Sequence, residues 1–112
     1  MLFRSRAGKE LSPLFWISAQ TPPTYIVQGD ADPLVPDSQA RRYLARAKEV
    51  GAKAEVLIRL GGAHGGWVEM TEDNARMAEW FKLHLLGEAP AKPFNFDISS
   101  APCTPIQKSA KK

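Results

Sequence analysis

A chain of 112 residues with a net charge of +3, 44% hydrophobic residues and one cysteine holds at most one small domain, is apolar enough to be globular, and cannot form an internal disulfide. Its sequence pI near 9.2 would suit a nucleic-acid binder, but the lysines and arginines are spread over helices and both termini. Neither a basic stripe nor an aromatic platform is present, which argues against nucleic acid as a partner. No stretch approaches the ~20 apolar residues that a membrane span requires. Met1-Leu2-Phe3-Arg4-Ser5-Arg6 lacks the apolar core of a secretory signal, so no membrane association is expected and the chain as it stands reads as cytoplasmic.

Residues 1–11 form a lead-in without periodicity. Residues 12–23 hold Ser12-Pro13, the apolar patch Leu14-Phe15-Trp16-Ile17 and then Thr21-Pro22-Pro23; the prolines favour extended backbone and forbid a helix running through them. Thr24-Tyr25-Ile26-Val27-Gln28 is a continuous β-branched and aromatic run that stops at Gly29, which predicts a strand covered on both faces, as in a parallel sheet. Gly29 to Pro36 reads as a turn-rich loop. A helix is expected from about Pro36, with Asp37 favourable in its first turn. Ala40, Tyr43, Leu44, Ala47 and Val50 recur on one face, Arg41, Arg42, Arg46 and Lys48 on the other, and Gly51 is a natural stop.

Ala54 to Leu60 predicts a second strand, and Gly61 to Gly66 a flexible loop around His64. Thr71 reads as an N-cap with Glu72 and Asp73 in the first turn of a second helix. That helix is expected to bury Met77, Trp80, Phe81 and Leu85 and to end at Gly87. His84 lies near its end, where the dipole favours a cation, and is read as structural. Trp67 is read as packing over the His64 loop rather than lining a pocket. Residues 88–112 carry four prolines and terminal lysines with little periodicity; they are expected as a tail, extended or disordered.

The order strand, helix, strand, helix places the chain in the α/β class, with two parallel strands joined by a crossover helix. Asp32 follows the first strand and His64 the second. In parallel sheets both loops leave at the same rim, the edge where ligands bind. A carboxylate bonded to one imidazole nitrogen sets the tautomer and stabilises the imidazolium formed when the other nitrogen takes a proton. The glycines flanking His64 give its loop the freedom to reach over the sheet edge. Cys103 has no neighbour that would lower its pKa and no companions for a zinc site. Nothing in the sequence implies a metal or organic cofactor.

The two loops together have a familiar wording. Gly29-Asp30-Ala31-Asp32-Pro33-Leu34-Val35-Pro36 closely resembles the H-G-D-A-D-x-L-V-P segment of α/β-hydrolases, and Gly61-Gly62-Ala63-His64-Gly65 resembles their G-x-x-H-G segment. The nearest relatives are the esterase-like and dienelactone-hydrolase-like branches, which grade into the prolyl-oligopeptidase catalytic domain. The resemblance covers residues 10–87, so 12–87 is expected as the C-terminal portion of an α/β-hydrolase domain, a partial α/β-hydrolase fold. It implies Asp32 as the acid and His64 as the general base of a Ser-Asp-His triad acting on carboxylic esters, with Asp30 structuring the loop. Gln28 departs from the pattern, where relatives often carry His.

In that fold the nucleophile sits on a G-x-S-x-G elbow upstream of both partners. This sequence has no G-x-S-x-G; its serines are Ser5, Ser12, Ser18, Ser38, Ser99, Ser100 and Ser109, none flanked by glycines. The chain is therefore expected to supply acid and base but not the nucleophile, and to have no specific esterase activity by itself. Two parallel strands also seldom stand alone, so the missing N-terminal half of the domain, or self-association, is expected to cover their exposed surface. Two other readings stand beside the ester hydrolase: a prolyl-oligopeptidase-type peptidase, which uses the same triad, and a non-catalytic α/β binding module.

Overall fold

The computed structural model describes residues 13–106; the expected lead-in over 1–11 and the last residues, 107–112, lie outside it. A 3-10 turn, Pro13–Trp16, precedes strand β1 (Thr24–Gly29), helix α1 (Ser38–Val50), strand β2 (Ala54–Leu60), helix α2 (Met70–Phe81) with a π-helical turn Lys82–Leu86, and strand β3 (Ile98–Pro102). The strands form one sheet in the order β1-β2-β3. β1 runs parallel to β2 with Thr24 opposite Ala54 and Gly29 opposite Arg59, and β2 runs parallel to β3 with Val56 opposite Ile98. The strand–helix–strand–helix order and the parallel strands are as the sequence predicts.

β3 is an addition. Where the sequence suggested a tail, residues 98–102 pair along β2. Their pattern, ISSAP, has too few apolar residues to announce a strand. What directs it is β2: the Glu55 carboxylate accepts the backbone N–H of Asn95 and Phe96 at 2.8 and 2.9 Å, which holds the turn that brings Ile98 into register. An exposed ion pair, Lys48 to Asp97 at 2.6 Å, closes the same corner.

The two faces of the sheet differ. On one, Ile26, Val56, Ile58 and Ile98 meet Ala40, Leu44 and Ala47 of α1, with Ile17 just after the 3-10 turn; Val56 and Ile58 have no exposed surface. Strand alternation sends Tyr25, Glu55, Leu57 and Arg59 to the other face, toward α2. There Tyr25, Trp80 and Phe94 form an aromatic cluster with ring centres 4.8 to 5.8 Å apart, and Glu55 and Arg59 are buried on the same face. β2 is the central strand and is the one covered on both sides, whereas that cover was expected of β1 from its continuous apolar run. β1 is only half-buried.

Of the expected α2 stripe only Trp80 is buried; Phe81 and Leu85 are largely exposed and Met77 is intermediate. The reason lies at β1. Among the described residues β1 has no strand on its outer edge, so Met77, Trp80 and Phe81 border an open groove of about 230 Å³ with Pro23, Thr24 and Tyr25. His84 packs on the aromatic cluster, and its surroundings do not favour the cation that the helix end was expected to favour. Its ring lies 4.4 Å from that of Trp80, and burial, followed by the field of Lys53, lowers its pKa. Among the described residues no helix is long and apolar enough to cross a membrane.

Candidate active site

The loop after β1 turns sharply at Asp32. One carboxylate oxygen, Oδ1, accepts the backbone N–H groups of Leu34 at 2.7 Å and Val35 at 3.0 Å, the local turn that an aspartate two or three residues upstream of free N–H groups favours. The other, Oδ2, accepts the Gln28 side-chain amide at 3.3 Å, and the same amide nitrogen donates to the Val35 carbonyl at 3.1 Å. The Asp32 side chain retains only 4% of its surface. Burial by itself would raise its pKa; the N–H of Val35, the His64 ring and the N–H of Leu34 outweigh it and hold the carboxyl down to about 2, against an ordinary 3.8. Asp32 is thus a carboxylate at neutral pH, an acceptor only.

His64 meets it from the loop after β2. Its Nδ1 lies 2.8 Å from Asp32 Oδ2. Since the carboxylate can only accept, Nδ1 carries the hydrogen of that bond, which leaves Nε2 of the neutral ring as an acceptor. Among the described residues this is the one hydrogen bond of the ring, and the side chain is 60% exposed. The ring is therefore open to solvent, and Nε2 is the nitrogen left for a reacting group. Val35, Ala63 and Trp67 join Asp32 and His64 around a shallow pocket of about 120 Å³.

The loops are sewn to each other before they carry any chemistry. Ala31 donates its N–H to the Gly62 carbonyl at 2.8 Å, Asp30 its N–H to the Arg59 carbonyl at 3.2 Å, and the Asp30 carboxylate accepts the N–H of Gly61 at 2.6 Å. Asp30 therefore ties the loops together and does not touch His64. The approach is so close at Gly29 that a Cβ there would stand 2.3 Å from the Gly62 carbonyl oxygen and 2.4 Å from that of Ala63. Only glycine fits.

Two groups of residues around the site escaped the sequence reading. The first is Asp73, expected only to serve the helix dipole. It is 3% exposed and accepts hydrogen bonds from Arg59 Nε at 3.0 Å, from Arg59 Nη2, and from Trp67 Nε1 at 2.8 Å. Arg59 also donates to the Pro102 carbonyl at 2.9 Å. A signal was present: Glu55 and Arg59 are four apart within a strand, hence on one face, and two charges on one face of a buried strand demand partners. The second group is the segment after β3. Val68 donates its N–H to the Thr104 carbonyl at 2.8 Å and Ile106 to that of Gly66 at 3.4 Å. The Glu69 carboxylate takes the N–H and hydroxyl of Thr104, both at 2.8 Å, and those bonds lower its pKa. Trp67 itself is buried with its ring edge near Gly62 of the His64 loop, as expected, but it also lines the pocket, which was not.

Comparison with known proteins places this geometry in company. The BD-FAE family model, an esterase-type α/β-hydrolase domain, matches residues 3–47, which takes in β1 and Asp32 and stops short of His64. Esterase LipQ of Mycobacterium tuberculosis (strain ATCC 25618 / H37Rv) is 32% identical over 56 residues, half of this chain and 13% of that protein. The structure of Thermogutta terrifontis esterase 2 phosphorylated by paraoxon superposes with a TM-score of 0.64 at 26% identity, covering 80% of this chain and 38% of that one. The chain thus spans well under half the length of either relative.

Proposed function

We propose, from the similarity of this chain to esterase-type α/β-hydrolases, that Asp32 and His64 are the acid and the base of a carboxylesterase triad whose serine nucleophile lies outside these 112 residues. The observation that carries the proposal is the 2.8 Å contact of His64 Nδ1 with a buried Asp32 carboxylate, with the imidazole open to solvent. In this role Nε2 takes the proton of the attacking hydroxyl and returns it to the departing alcohol, while the Asp32 charge stabilises the imidazolium in between. Asp32 stays ionised throughout, because its backbone bonds hold its pKa far below neutrality. The oxyanion donors, like the nucleophile, belong to the upstream part of such a domain. Both relatives named above are esterases, which favours an ester over a peptide substrate.

The test is a chimaera in which this chain replaces the matching part of the Thermogutta esterase, assayed on p-nitrophenyl butyrate and for labelling by paraoxon. Turnover is expected, and His64→Ala or Asp32→Ala should each reduce kcat by ~10³-fold or more. An active chimaera indifferent to both substitutions would sink the proposal. Ester turnover by the 112-residue chain alone that vanished in both variants would place the nucleophile inside it.

A further inference from the structure

We infer that Asp73 is a positioning residue for His64: its buried carboxylate closes the His64 loop by joining Arg59, which precedes the loop on β2, to Trp67, which follows it. The inference rests on the reading of His64 as the base and names what holds that base in place. The glycine-rich stretch from Gly61 to Gly66 has little of its own to settle a conformation, since glycine is the residue with the most backbone freedom to lose. A side chain aimed to hydrogen-bond accuracy from such a loop needs its two ends fixed, and the structure fixes both through one carboxylate.

The Asp73 carboxylate grips the Arg59 guanidinium through both of its oxygens, the two-pronged geometry that makes arginine–carboxylate pairs directional. Its Oδ2 also accepts the Trp67 indole N–H at 2.8 Å. All three residues are at least nine-tenths buried, so water does not compete for these bonds. Trp67 in turn presses on the loop from below, with its ring edge close to Gly62, and borders the pocket that Asp32 and His64 share. The ion pair itself is a poor candidate for bulk stability, because desolvation offsets most of its attraction. Its geometry, linking the strand before the loop to the residue and helix after it, suits a device that selects one loop conformation.

The experiment follows the imidazole Nδ1–H of His64 by ¹H–¹⁵N NMR in the full 112-residue chain, where the bond to Asp32 should give a downfield, slowly exchanging proton. Trp67→Phe is the deciding variant, because it keeps an aromatic ring in place and removes one hydrogen bond to Asp73. It should speed exchange of that proton on the order of ten-fold, the scale of a lost hydrogen bond to a charged group. Trp80→Phe is the control: it makes the same change of ring and removes an indole bond to the Pro23 carbonyl, away from the loop, and should leave the rate within about two-fold. Asp73→Asn should act in the same direction as Trp67→Phe and more strongly. An unchanged rate in a folded Trp67→Phe chain, or equal acceleration by Trp80→Phe, overturns the inference. No turnover is needed, so an inactive chimaera with this signature intact would fault the triad reading alone.

Discussion

The two loops that meet at the site are built on opposite plans. In the loop after β1, the acid is held from within residues 28–35: Leu34 and Val35 bond one oxygen of Asp32, Gln28 the other, and Gln28 braces Val35 as well. In the loop after β2, the base sits among glycines, and its anchors come from far along the chain: Asp73 on α2, Thr104 and Ile106 after β3, and Asp30 from the other loop. A short polar side chain can order its own turn, since its carboxylate and the N–H groups it needs are two or three residues apart. An imidazole has no such local partner and borrows its order from the tertiary structure. The site is therefore a rigid acid presented to a base whose position is contingent.

That contrast can be broken most severely at Asp73. Asp73→Ala leaves the buried Arg59 guanidinium with only the exposed Glu72 carboxylate, 3.2 Å from Nη2, and loss of one member of a buried pair costs about 3–5 kcal/mol. Urea unfolding should show that loss, and a loss of less than about 1 kcal/mol would mean that Glu72 compensates the guanidinium by itself. Gly29→Ala strikes the seam between the loops. Its new methyl meets two carbonyl oxygens that cannot move without breaking the stitching, and overpacking of this kind costs about 1–3 kcal/mol. Here both loops should loosen together, seen as faster amide exchange at Ala31 and Gly62 alike; a change confined to one loop would show that they are not coupled.

The gentlest probe is acid. The folded pKa of Asp32, about 2, lies below its ordinary 3.8. The depressed value stabilises the fold fully above pH ~3.8, and that contribution fades as pH falls through the interval down to about 2. The carboxyl carbon shift of Asp32, followed by NMR, should titrate near 2 in the folded chain. A midpoint near 3.8 would show that the turn does not grip the carboxylate. Asp32→Asn should abolish this part of the acid response.

Much of the architecture was legible one residue at a time. The run Thr24 to Gln28, the Ala40-Leu44-Ala47 stripe and the strand from Ala54 each state their period without help. So does the pairing of Asp32 and His64, because parallel strands deliver both loops to one rim whatever the details of packing. The resemblance to esterase-type hydrolases rested on the same two loops, and the relatives bear it out. The exposed Phe81 and Leu85 show the limit of periodicity, which reports that a face is apolar and not whether anything in these residues covers it.

What only the tertiary structure decided is what surrounds those elements. Ile98–Pro102 became a strand because Glu55 turned the chain and β2 offered an open edge, neither visible in the residues of β3. Asp73 became the keeper of the His64 loop because burial joined it to an arginine fourteen positions earlier and to an indole N–H on the way. The physical reason is the range of the forces involved. Helix and strand periods and local carboxylate turns are settled within a few residues, by dihedral preference and short hydrogen bonds. A buried charge is settled only when the fold has removed the water that would otherwise satisfy it.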